Sequence, residues 1–205
     1  SGVAMAQSSV TLYGVADLGL VKSDGISAQM SGSGVMNNGT SRLGVRGVED
    51  LGGGLKASFN FEHGLNMENG AGNLSGGQMW SRAAWMALQG GFGRVQMGRT
   101  LTPSFYGIAA WELTGTANYG VVDKQFNFNG AGPRDSSVLQ YSFATGGFST
   151  TLGYIFKPDN ANNAKTDLNV IYKQGPLAVA LSYNKTSNVS GSNYALGANY
   201  DFGAF

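Results

Sequence analysis

The sequence predicts an all-β protein: an antiparallel up-and-down transmembrane β-barrel, of which about ten strands are present. Three observations predict it. Polar and apolar residues alternate with period two along almost the whole chain. Charge is scarce and glycine abundant. The 13 basic and 12 acidic residues make up 12% of 205 residues, against about 25% in a soluble domain, and the 33 glycines are more than twice the usual share. Tight glycine-bearing turns also alternate with long connections, as short periplasmic turns alternate with longer outer loops.

The strands can be justified in order. Over residues 9–22, Val10, Leu12, Ala16, Leu18 and Leu20 share one face, and Thr11, Tyr13 and Asp17 the other. Over 41–50, Arg42, Arg46 and Asp50 oppose Leu43 and Val45. Over 54–63, Lys56, Ser58, Asn60 and Glu62 alternate with Leu55, Ala57, Phe59 and Phe61. The weakest segment is 78–89, where Arg82 shares parity with Trp80, Ala84, Met86 and Leu88. Over 93–101, Arg94, Gln96 and Thr100 oppose Val95 and Met97. Two segments near 134–144 and 148–157 follow. Then Leu168, Val170 and Tyr172 oppose Asp167, Asn169 and Lys173. Leu177, Val179, Leu181 and Tyr183 oppose Ala178, Ala180, Ser182 and Asn184. Last, Tyr194, Leu196, Ala198, Tyr200 and Phe202 oppose Asn193, Gly197, Asn199 and Asp201.

Short connections at 51–53, 90–92, 145–147 and 174–175 carry glycine, which suits the positive φ of hairpin turns. Long ones cover about 23–40, 64–77, 102–133, 158–164 and 187–192. All four prolines, Pro103, Pro133, Pro158 and Pro176, fall at loops or strand starts. A β-sandwich is the main competitor. Against it stand strands near the 9–11 residues that cross a bilayer and Arg, Lys, Asp and Glu in mid-strand, which a packed sandwich core would reject.

Other classes are bounded by composition. A net charge of +1 makes no electrostatic glove for nucleic acid. No apolar run approaches the ~20 residues of a spanning helix. Cysteine is absent, so there is no disulfide framework and no thiolate metal site. The one histidine, His63, has the parity of the lipid face, which argues against a nucleophile with a base. No GxxxxGK[ST] loop cradles a phosphate, and no catalytic, cofactor or metal site is expected. Residues 1–6, with Ala4-Met5-Ala6 before Gln7, read as the tail of a signal peptide.

Three stretches carry a resemblance: SVTLYG at 9–14, SRLGVRGVEDLGGGLKA at 41–57 and GFGRVQMGR at 91–99. Together they resemble the general diffusion porins of Gram-negative outer membranes, of the betaproteobacterial type, over residues 7–205. The resemblance implies a sixteen-stranded barrel in a homotrimer, set among outer-membrane lipid and lipopolysaccharide, with a third loop folded inward. It implies a channel for small hydrophilic solutes and ions. About ten strands of sixteen are accounted for, so the sequence reads as a portion of such a barrel; a natural ten-stranded barrel is the alternative.

The connection 102–133 is long for a loop and rich in Phe105, Tyr106, Ile108, Trp111, Tyr119, Phe126 and Phe128. Those groups need a surface, and the inner wall is the expected one; an outer loop packed on its neighbours is the alternative. The resemblance makes this the constriction loop, with Glu112 and Asp123 as its acidic groups. On the wall, Arg42, Arg46, Lys56, Arg82 and Arg134 are assigned to the polar face, with Arg99 at the loop's mouth. Arg42, Arg82 and Arg134 look like the arginine cluster of related anion-selective porins. Guanidinium groups facing loop carboxylates set up a transverse field that biases ion passage. Some of these arginines would instead pair with Asp17, Asp50 or Glu62, and for Arg46 and Lys56 both readings stand. Trp80, Trp85, Tyr141, Tyr154 and Tyr183 are candidates for interfacial girdles. The expected function is passive diffusion with moderate anion preference. The alternatives are a barrel enzyme, an adhesin or a soluble carbohydrate-binding sandwich.

Overall fold

The computed structural model describes residues 9–32, 34, 36–72, 77–128 and 132–203. The expected signal-peptide tail at 1–6 lies outside them.

The chain runs β1 (Ser9–Val15), β2 (Gly19–Ser23), β3 (Ile26–Ser31), β4 (Arg42–Gly52), β5 (Leu55–Gly64), β6 (Ala83–Gly90) and β7 (Gly93–Leu101). Helices α1 (Pro103–Ala109) and α2 (Val122–Gln125) follow, then β8 (Arg134–Thr145), β9 (Phe148–Ile155), β10 (Lys165–Gln174), β11 (Leu177–Thr186) and β12 (Asn193–Tyr200). Ten strands form one antiparallel sheet in the order β1-β4-β5-β6-β7-β8-β9-β10-β11-β12. Apart from the β2–β3 excursion, it is a meander. The sheet is open, with β1 and β12 each paired on one side among the described residues.

Alternation fixes the registers of the ten-stranded sheet, which shift only between Asp50 and Gly52 and between Gly98 and Thr100: a one-residue slip would turn every apolar group inward. β10 and β11 pair without interruption from Lys165↔Thr186 to Gln174↔Leu177. The turn between β8 and β9 uses Gly146 (φ 55°) and Gly147 (φ 84°), left-handed geometry that glycine adopts without strain.

The two faces are inverted relative to a soluble protein. Outward groups are apolar and exposed, as with Leu12 (70%) and Met86 (66%). Inward groups are polar and covered: Asp167 is 1% exposed and Asn184 is fully buried. So broad an apolar exterior exceeds what a soluble monomer carries and matches a wall solvated by lipid.

Two boundaries differ from the expectation from sequence. The first strand does not run through 9–22. It ends at Val15, and residues 19–31 form a separate two-stranded hairpin. The break is built by Asp17, whose carboxylate accepts from Asn37 Nδ2 (2.7 Å) and Gly39 N (3.1 Å) while its backbone N–H donates to Ser41 Oγ (2.8 Å). The strand expected over 78–89 starts only at Ala83. Arg82 therefore escapes the outward parity it would have within the strand.

The 102–133 connection turns straight onto the polar face. Its neck is tied by Thr102 N donating to Pro133 O (2.9 Å). Thr102 also caps α1, its side chain accepting from Phe105 N (3.1 Å), with Pro103 opening the helix.

Candidate functional site

Side chains of β10 to β12 hold the connection. The Asp167 carboxylate accepts from Ser104 N (2.5 Å) and Ser104 Oγ (2.8 Å). Asn169 Nδ2 donates to Pro103 O (2.7 Å), Ser182 Oγ to Ser104 O (2.8 Å) and Asn184 Nδ2 to Asn127 O (3.0 Å). Lys165 Nζ bridges Phe128 O (2.6 Å) and Asp135 Oδ1 (2.8 Å), a buried pair. Asn199 Nδ2 reaches Trp111 O (3.1 Å). The indole of Trp111 lies against Gly197, where an added Cβ would stand 2.0 Å from it. At the far end Asn118 N donates to Asn38 O (3.2 Å), close to the start of β4. The connection thus spans from one side of the sheet to the other across its polar face.

Beneath this span is a cavity of about 580 Å³. Arg42, Arg82 and Arg134 line it, with Glu62, Tyr106 and Asp123. Glu62 organises the wall side. It accepts from Arg82 Nε (2.6 Å) and from Tyr13 Oη (2.8 Å), and Arg42 Nε stands 3.8 Å away. Tyr13 reaches it because Gly44 leaves room for the phenol ring, with an added Cβ only 2.5 Å from it. Arg134 Nε donates to Arg82 O (3.1 Å). Arg42 also holds Thr40 O (2.9 Å). One carboxylate therefore holds two of the guanidinium groups and a backbone carbonyl the third, leaving local positive charge on the wall.

Asp123 is the carboxylate on the loop side. Burial pushes its acid group above the usual aspartate range, against the pull of neighbouring Lys124. Among the described residues its Oδ1 is buried without a hydrogen bond. Glu112, expected beside it, turns away. Burial works to raise its acid group, but the backbone N–H groups of Thr116 (2.7 Å) and Thr114 (3.0 Å) prevail and hold it low. At 7% exposed it stabilises its own turn and does not line the cavity.

The geometry also sorts the other residues singled out from the sequence. Arg99 does not join the cluster: at a register shift between Gly98 and Thr100 it faces Ser81 O (2.7 Å) and Ser136 Oγ (2.8 Å). Lys56 is exposed at the short-turn edge, in register with Asp50 and Gln89. Trp85 belongs to no girdle. It is in register with Asn60 on the polar face and carries the Arg94 guanidinium 4.7 Å above its ring. Arg46 sits likewise over Tyr13, at 5.0 Å. His63 Nδ1 is engaged by Met79 O at the strand end.

Reasoning from sequence misses the loop's anchors. Asp167, Asn169, Ser182 and Asn184 are visible as polar groups of one parity, but their partners lie some 57 to 78 positions away in the chain. Tyr13 gives a weaker signal, as an aromatic ring on the polar face.

An inverted wall with a long loop folded onto its polar face is what one family builds, and a family model described as Gram-negative porin matches residues 1–205. This chain belongs to the Gram-negative porins. The porin chain is 34% identical to outer membrane porin protein 32 of Delftia acidovorans, over 99% of its own length and 63% of that protein. It is 31% identical to an outer membrane porin protein of Bordetella pertussis, over 98% and 63%. Its structure matches the anion-selective porin from Comamonas acidovorans with a TM-score of 0.75 at 30% identity, covering 96% of this chain and 65% of that one. An outer membrane protein of Vibrio cholerae, solved in a trimer form, shares the fold at 19% identity and a TM-score of 0.61, over 96% and 62%. The porin chain thus spans less than two thirds of the length of these relatives. Its place is the outer membrane of a Gram-negative cell.

Proposed function

We propose that this chain forms the wall and filter of a water-filled channel for passive diffusion of small hydrophilic solutes and ions, with moderate anion preference. The observation that carries the reading is the cavity in which Arg42, Arg82 and Arg134 face Asp123 across a loop lying on the polar face. Residues 102–133 are the constriction loop. Water and ions pass between loop and wall, and the fixed guanidinium groups favour anions in that gap. Glu62 offsets part of this charge, which makes the preference moderate. The apolar exterior supports contact with lipid and lipopolysaccharide. The trimer of the Vibrio relative supports a homotrimer. A channel has no need of a nucleophile and base, and His63 is spent at the rim.

The test is a reversal potential across a planar bilayer under a salt gradient, for the full-length protein and for Arg42→Glu with Arg82→Glu. The parent's potential is expected to favour anions and the double variant's to move toward cations. A parent that favours cations, or a double variant with unmoved potential, would refute the reading.

A further inference from the structure

Two guanidinium groups on the same wall have no part in the constriction cluster. Arg46 lies four residues along β4 from Arg42, roughly 13 Å nearer the short-turn edge. Arg94 begins beside the β6–β7 turn, in register with Gln89, and extends back over Trp85. Asn60 pairs with Arg46 on one side and Trp85 on the other, so the two guanidinium groups flank one rung of the sheet. Both line a cavity of about 300 Å³ with Thr11, Ser58, Asn60 and Gln89, and among the described residues no carboxylate lines it.

Their chemistry differs from that of the cluster. The described residues contain three ion pairs, Arg42–Glu62, Arg82–Glu62 and Lys165–Asp135, and neither Arg46 nor Arg94 is in one. Each is laid on an aromatic face, which fixes its plane and leaves its donor edge free of the ring. The Arg94 edge rests on neutral oxygens: Gln96 Oε1 (2.7 Å), Gln89 Oε1 (3.3 Å) and Ser58 Oγ (3.4 Å). The Arg46 guanidinium, over Tyr13, has no hydrogen-bond acceptor among the described residues. A charge-assisted bond to an oxyanion is roughly twice as strong as a neutral one, so an arriving oxyanion displaces the longer contacts.

We propose that Arg46 and Arg94 form a second station in the channel, between the constriction and the short-turn mouth, that holds an oxyanion: the carboxylate of a small organic acid or inorganic phosphate. The proposal rests on the channel reading. It divides labour along the wall. The cluster, paired with Glu62, filters by field, while the carboxylate-free station holds the anion that has passed.

The experiment uses the full-length protein in planar bilayers, with heat-modifiable migration confirming that each variant is folded. The variants are Arg46→Gln with Arg94→Gln, and Arg46→Lys with Arg94→Lys. The readouts are the anion-to-cation permeability ratio in potassium chloride and the loss of chloride current on adding millimolar phosphate or, separately, acetate. In the parent at least one oxyanion reduces the current, and which one does so assigns the ligand. In the glutamine pair that block disappears and the permeability ratio falls about threefold, as expected for two wall charges screened by water and salt. The lysine pair keeps the ratio but binds the oxyanion several-fold more weakly, because lysine lacks the planar fork. A glutamine pair with parental block and ratio overturns the station. So does a conducting parent that neither oxyanion blocks, although the channel reading then survives. A parent that does not conduct overturns both.

Discussion

Glu62 is the residue on which the wall charge turns. It neutralises part of a cluster that would otherwise carry three like charges, and it holds Arg82 at 2.6 Å. Glu62→Gln keeps the shape and removes the charge, so the anion preference should rise by about two- to threefold in reversal-potential measurements, given water-screened wall charges. In the proposed filter Asp123 faces the cluster from the loop side, and its pH dependence has a definite sign. Burial holds its acid group above the usual aspartate range. As pH falls, it takes its proton before an ordinary aspartate does, and a negative charge leaves the gap. Anion preference should therefore climb on mild acidification, and Asp123→Asn should show the raised preference already at neutral pH and lose that part of the climb. A flat profile in the parent would place Asp123 outside the ion path. Glu112 behaves in the opposite sense. Its depressed acid group stabilises the loop turn above the ordinary glutamate range, and that contribution is lost only as pH falls through the lowered value.

At the scale of elements, the loop depends on the strands it crosses. Asp167 accepts two hydrogen bonds from Ser104, and Asn169 donates a third to Pro103 O. Hydrogen bonds of this kind contribute about 0.5–1.5 kcal/mol each. Asp167→Ala with Asn169→Ala should release the α1 end of the loop. Single-channel recordings would then show larger and noisier conductance with weaker selectivity, while the barrel itself still migrates as folded. Gly197→Leu attacks the same loop differently, because a side chain there occupies the space of the Trp111 indole. Conductance equal to the parent's in both variants would mean that these contacts do not position the loop.

For the whole molecule, the inversion of polarity is legible from sequence, because a period of two reports which face each residue takes whatever its partners are. Leu12, Met86 and Leu196 read correctly as outward, and Asp167 and Asn184 as inward. Legibility fails where alternation stops. Arg82 precedes β6, Arg99 sits at a bulge, and the Asp17 network ends β1 early. Trp85 misleads for another reason: an aromatic ring suits a lipid interface, yet here it serves as a platform for Arg94. The loop's anchors are hidden because polar parity says that a group faces inward, not what it holds. The exterior carries its own prediction. Leu12→Asp on the outward face should impair membrane insertion or reduce the yield of heat-modifiable protein, whereas Thr11→Asp, at the neighbouring position, should be tolerated, since Thr11 faces the water-filled side.

The bond from Thr102 to Pro133 ties the two ends of the long connection together at their point of departure from the wall. The chain thus leaves the sheet from β7 and rejoins it at β8 at one fixed point. A segment exchanged between those two residues would keep its take-off from the wall, but it would seat only if it again offered groups to Asp167, Asn169, Ser182 and Asn184. A loop graft between porins would therefore have to carry these wall positions along with the loop.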